Sequence, residues 1–163
     1  MTPHHAPGPG DPAPDFVLRD QHGATVSLRS FHGRRDVVLV FFPFAFSSVC
    51  TGELHVLRDH LDRFETADAA VLGVSCDAMY SLRVFADRDH LGFSLLSDFW
   101  PHGAVAASYG VLDGDRGSPR RSTFVIDREG TVRGSVHHEL AEPRQVADYL
   151  ATLAEIADSR AAK

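Results

Sequence analysis

The stretch VLVFFPFAFSSVCTGEL, Val38–Leu54, decides how the chain is to be read. With Val37 it opens on six consecutive apolar residues, Val37–Phe42. Such a run is the pattern of a strand covered on both faces, and so of a central, parallel position in a sheet. Pro43 cannot continue the hydrogen-bonded ladder, so the strand must break there and open a pocket. From Cys50 the period changes, with Leu54, Leu57, Leu61 and Phe64 recurring at helical spacing between charged residues. The local unit is strand, short loop, helix, and a cysteine stands where the helix begins.

The same alternation continues outward. Upstream, Phe16–Arg19 and Thr25–Leu28 flank Asp20-Gln21-His22-Gly23 and predict a hairpin. Downstream, AAVLGVS over Ala69–Ser75 predicts a second buried strand. A helix is expected over Ser81–His90 with Leu82, Phe85 and Ala86 inward, then a short strand over Phe93–Leu96 and a helical turn or two within Gly103–Tyr109. Thr123–Ile126 and Thr131–Arg133 bracket Asp127-Arg128-Glu129-Gly130, a hairpin signal. His137 and His138 follow in an expected loop. Pro143 suits a helix N-terminus, with Val146, Leu150, Leu153 and Ala157 forming its apolar face. Together these elements predict an α/β domain with a central mixed sheet and an N-terminal β-hairpin extension. The expected organisation is a tail over residues 1–14, rich in Pro and Gly and carrying His4 and His5, one domain over 15–158, and a C-terminal tail over 159–163.

Composition narrows the function. A chain of 163 residues, 44% hydrophobic, is long enough to bury one full core. The formal net charge is -6 and the basic residues are scattered among acidic ones, which argues against nucleic acid and anionic membranes as partners. The N-terminal residues lack the apolar core of a signal peptide, and no apolar run is long enough to span a bilayer. Two cysteines, Cys50 and Cys76, do not make a disulfide-stapled secreted fold, so a cytoplasmic location is expected. No Cys-x-x-Cys or His-x-x-x-His spacing occurs, so neither a dithiol redox site nor a metal centre is expected, and no cofactor is implied.

A cysteine after an apolar run is more often a small buried hydrophobe than a nucleophile. Here its neighbours change the weighing. At the start of a helix, unpaired backbone N–H groups and the positive end of the dipole favour an anion such as a thiolate. Ser47, three residues earlier, can offer a hydroxyl to the same point.

The segment Pro43-Phe44-Ala45-Phe46-Ser47-Ser48-Val49-Cys50 resembles the active-site motif of peroxiredoxins: Pro, three residues, Thr or Ser, two residues, Cys. Glu53 and Arg121, in RSTFVID, extend the likeness, as do APDFVLRD, LLSDFWPHGAVAASYGV and TFVIDREGTVR. Within that family the resemblance is nearest to the actinobacterial one-cysteine alkyl hydroperoxide reductase E class. It implies a thioredoxin-like sandwich and a peroxidase in which Cys50 attacks a hydrogen or organic peroxide. Arg121, Ser47 and backbone N–H groups near Val49 and Cys50 would hold the peroxide, Pro43 would shield the thiolate, and Glu53 would orient Arg121 from behind.

It further implies recycling by an external thiol, mycothiol with a glutaredoxin-like protein or a thioredoxin, and a side-by-side homodimer. Departures from the motif matter too. Ser47 stands where many relatives have Thr, and His55 stands where one subclass carries a resolving cysteine. Cys76 is then the only internal candidate resolver, with a buried strand-end thiol as the plainer reading. A redox-sensing protein using the same sulfenic acid, without turnover, shares every one of these residues. Trp100 is read either as a core residue or as part of a subunit contact.

Overall fold

In a computed structural model the protein is described over residues 5–138 and 146–163. The readings for His4 and Pro143 lie outside those residues. Two strands, β1 (Val17–Asp20) and β2 (Thr25–Ser27), form the expected N-terminal hairpin and lead through a 3-10 turn into β3 (Asp36–Phe41). Then follow α1 (Ser48–Asp59), α2 (Leu61–Thr66), β4 (Ala69–Ser75), α3 (Met79–Asp89), β5 (Ser94–Ser97) and α4 (Ala104–Ser108). A two-residue ribbon, β6 (Leu112–Asp113) with β7 (Ser118–Pro119), precedes β8 (Ser122–Ile126), β9 (Val132–His137) and α5 (Val146–Ala161). The main sheet has seven strands in the order β2-β1-β5-β4-β3-β8-β9.

Strand β3 lies inside this sheet, parallel to β4 and antiparallel to β8. Its six residues are all buried, as the uninterrupted apolar run requires. Strand pleating sends Val38, Val40 and Phe42 to one face, where they pack with Leu54, Leu57, Phe64, Phe85, Tyr149 and Leu153 from α1, α2, α3 and α5. Val37, Leu39 and Phe41 face the other side and pack with Phe16, Leu28, Ala106, Tyr109 and Val132. Each fully buried Leu or Phe in these layers contributes about 1.5–3 kcal/mol. Phe42 also reaches across β4 at Gly73, where a Cβ would stand 3.3 Å from its ring and 2.8 Å from Leu95.

Several boundaries differ from the expectation. The single predicted helix after Cys50 is two, because the chain turns at His60 between α1 and α2. His137 belongs to strand β9, not to a loop, and its Nδ1 pairs with the Ser122 hydroxyl at 2.9 Å. On α5 the buried residues are Val146, Tyr149, Leu153 and Ile156, while Ala157 is exposed. The spacing of three, four and three residues tracks a straight helix better than a face through Ala157.

The stretch read as a tail up to Pro14 is tied down in its later part. Gly10 N–H donates to Val132 (2.8 Å), Ala13 N–H donates to Gly130 (2.8 Å) and the Tyr109 hydroxyl donates to Pro14 (2.7 Å). At the other end α5 continues to Ala161, and Arg160 donates to the buried Asp36 carboxylate at 3.0 Å, inside the stretch read as a C-terminal tail. No helix of the described residues is long and apolar enough to cross a membrane.

Candidate active site

The parallel strands β3 and β4 end side by side, with Phe41 opposite Val74, so the segments that leave them begin at one edge of the sheet. After β3 the chain turns at Pro43 and passes through Phe46, whose φ of 69° is left-handed. It enters α1 with Ser47 as the N-cap. Ser47 Oγ accepts from Cys50 N–H at 3.4 Å and Ser47 C=O accepts from Thr51 N–H at 2.9 Å. Cys50 therefore stands in the first helical turn, where the sequence reading expected it near the start. It is 2% exposed and packs among Phe42, Leu54 and Phe85 in the core layer beneath α1 and α3.

Glu53, one turn further along α1, is 6% exposed and forms an ion pair with Arg121, which is 3% exposed. Arg121 immediately precedes β8, and the pairing of Ser122 with Phe41 sets it beside the end of β3. Its carbonyl accepts from His138 N–H at 2.9 Å, which ties the β8 entrance to the exit of β9. Arg121 and Pro43 line one cleft of about 300 Å³, together with Arg116, Arg120 and His138. The structure thus brings Pro43, Ser47, Cys50, Glu53 and Arg121 to the same end of the sheet, from the loop after β3, the first turns of α1 and the entrance to β8. Burial of a permanently charged guanidinium is costly unless it is paired, so Glu53 and Arg121 require one another.

Cys76 follows the end of β4. It is a free thiol, as is Cys50, and no disulfide joins them. Burial, with Asp98 and Asp77 nearby, pushes its thiol up to about 12. Among the described residues no group of three or more His, Cys, Asp or Glu is placed to hold a metal ion.

Sequence reasoning missed two features around this loop. Asp77 Oδ2 accepts from Ala45 N–H at 2.8 Å, tying the loop after β3 to the turn after β4. The Phe46 ring lies 5.1 Å from that of Phe85 and under the Arg88 guanidinium at 4.8 Å. The signal for Asp77 was available in principle, since residues just past the C-terminal ends of adjacent parallel strands converge. For Phe46 there was no such signal, because a bulky residue at positive φ is not a local preference of the sequence.

Residues 9–135 match the AhpC/TSA family. Alkyl hydroperoxide reductase E of Mycobacterium tuberculosis is 47% identical over 139 residues, covering 85% of this chain and 89% of that protein. The chloroplastic 2-Cys peroxiredoxin BAS1 of Spinacia oleracea is 33% identical over 154 residues, covering 88% of this chain and 57% of that protein. Among solved structures, peroxidoxin BcpB from Mycobacterium tuberculosis superposes with a TM-score of 0.84 at 35% identity, covering 92% of this chain and 98% of that one. This likeness bears out the thioredoxin-like sandwich implied by the sequence motif.

Proposed function

The chain belongs to the AhpC/TSA family and is by that membership a thiol-dependent peroxidase, and we propose that Cys50 is its peroxide-reducing nucleophile in a one-cysteine cycle. The observation that carries this reading is the position of Cys50 in the first turn of α1, one turn before the buried Glu53–Arg121 pair. The Cys50 thiolate attacks the terminal, hydrogen-bearing oxygen of R–O–O–H along the O–O axis. An S–O bond forms, the O–O bond breaks, sulfur is oxidised to the sulfenic acid and the departing alkoxide or hydroxide takes a proton to leave as alcohol or water.

Negative charge grows on the departing oxygen, so fixed donors lower the barrier most. Arg121, the Ser47 hydroxyl and the backbone N–H groups near Val49 and Cys50 supply them. With Oγ already accepting from Cys50 N–H, the Ser47 O–H can donate outward to the peroxide. Glu53 keeps Arg121 aligned, and Pro43 walls the cleft against water.

In this cycle a first external thiol condenses with the sulfenic acid, releasing water and leaving a mixed disulfide. A second thiol releases Cys50 and carries away the disulfide. Mycothiol with a glutaredoxin-like protein, or a thioredoxin, is the reductant of this reading. A Cys76 thiol held up to about 12 stays protonated at neutral pH and is a poor attacking group, which supports an outside thiol over internal resolution.

We take residues 15–158 as one domain acting as a side-by-side homodimer in the cytoplasm. Trp100, 82% exposed, sets aside the core alternative, and with Val17, Tyr80 and Phe99 it lines a surface depression beside Met79. That apolar surface supports a subunit contact, and the two free thiols suit a reducing compartment.

Replacing Cys50 with Ser tests the assignment: peroxide consumption with an external thiol should vanish, and retained consumption would overturn it.

A further inference from the structure

The loop between β3 and α1 contains Phe46 at φ 69°, a conformation that costs a bulky residue free energy and persists only when surrounding structure holds it. Two restraints are visible. The Phe46 ring packs against Phe85, and the Arg88 guanidinium lies over both rings. One residue earlier, the Ala45 N–H points at Asp77, 32 positions further along the chain.

Asp77 is itself aimed by its neighbours. The same oxygen, Oδ2, accepts from the Ser75 hydroxyl at 2.7 Å, while Asp77 N–H donates back to Ser75 Oγ at 3.2 Å. Its backbone carbonyl accepts from the Ser97 hydroxyl at 2.6 Å. The carboxylate is therefore referenced to the ends of β4 and β5, which pair in the sheet. Although Asp77 stands just before α3, it does not cap that helix: the N-cap is Ala78, with no side-chain hydrogen bond.

Resting on the reading of Cys50 as nucleophile, we propose that Asp77 is a positioning residue of the peroxide site. Its carboxylate holds the Ala45 N–H and so fixes the loop that presents Pro43, Ser47 and Cys50. In-line attack needs Cys50, the Ser47 hydroxyl and the wall at Pro43 in register, and misplacement by about 1 Å costs about 100-fold. Simple alkylation of Cys50 needs no such register. The proposal thus separates two reactions of one sulfur.

The test compares the second-order rates of Cys50 with hydrogen peroxide and with iodoacetamide, each followed by peptide mapping, in the full chain. Asp77→Ala should lower the ratio of peroxide rate to alkylation rate by about 10- to 100-fold. Asp77→Asn, whose amide oxygen can still accept from Ala45, should recover most of that ratio. Ser75→Ala removes one of the bonds that aim Asp77 and should lower the ratio less, in the same direction; it carries the test if Asp77→Ala does not fold.

A ratio in Asp77→Ala within about threefold of wild type, the scatter expected for a contact outside the site, would overturn the proposal. So would an Asn variant as impaired as the Ala one. Failure of the underlying reading looks different: wild-type Cys50 would be alkylated yet left unoxidised.

Discussion

At the scale of single residues, both cysteines are buried, but their neighbours differ. Cys50 sits in a first helical turn, next along the helix from the Glu53–Arg121 pair. Burial, reinforced by Asp98 and Asp77, pushes the Cys76 thiol up to about 12. An alkylating reagent at pH 8 should therefore leave Cys76 unmodified in the folded chain, and peptide mapping checks this. Cys76→Ser should likewise leave the first oxidation step intact. Arg121→Ala does more than remove a donor, because its buried partner Glu53 stays behind. The observed burial of both partners means that the single change strands a charge, at a cost of about 3–5 kcal/mol. We expect Arg121→Ala to lower both the melting temperature and the peroxide rate. The double change Arg121→Met with Glu53→Met should regain much of the stability and none of the rate. Recovery of rate in the double variant would show that the pair serves packing alone.

At the scale of elements, the apolar run of β3 and the seven buried residues of β4 were legible because a strand covered on both faces needs no alternation. The hairpins were legible from Asp and Gly at their turns, and Asp127 shows why: its Oδ1 accepts from Glu129 N–H and Thr131 N–H while Gly130 takes a φ of 83°. The ribbon of β6 and β7 went unseen, since two residues per strand carry no period. The break at His60 was hidden because Leu57, Leu61 and Phe64 keep helical spacing across it. Asp77 was missed because its partner is remote in sequence and is met only through the register of β3 and β4.

Strand β9 carries a pH prediction. Burial pulls His137 below its ordinary value of 6.5. The unfolded chain then binds the proton more readily, so stability is fully present above about 6.5 and falls as pH drops toward the folded value. His137→Gln should flatten the dependence of the urea midpoint on pH between about 7.5 and 5. An unchanged slope would assign the acid sensitivity to other groups.

At the scale of the whole molecule, both faces of the sheet are covered by packed layers, and the end we propose as reactive is the one where β3 and β4 finish and β8 begins. The exposed apolar residues Val17, Tyr80, Phe99 and Trp100 are the surface from which we read a subunit contact. Trp100→Glu should shift sedimentation from dimer to monomer at micromolar concentration, and a wild-type chain that already sediments as a monomer would contradict the dimer. The family was legible in the sequence because its motif is local, confined to Pro43–Cys50. The wall of the cleft was not, because Arg116, Arg120 and His138 reach it from the segments after α4 and β9.

The central claim is that Cys50 is the sulfur that a peroxide oxidises, with no help from Cys76. The most direct measurement treats the reduced chain with one equivalent of hydrogen peroxide in the presence of a sulfenic-acid trap, followed by intact mass and peptide mapping. The account predicts one trapped adduct on Cys50 and a free thiol at Cys76. Two unmodified thiols would contradict the peroxidase assignment, and a disulfide between Cys50 and Cys76 would contradict the one-cysteine cycle.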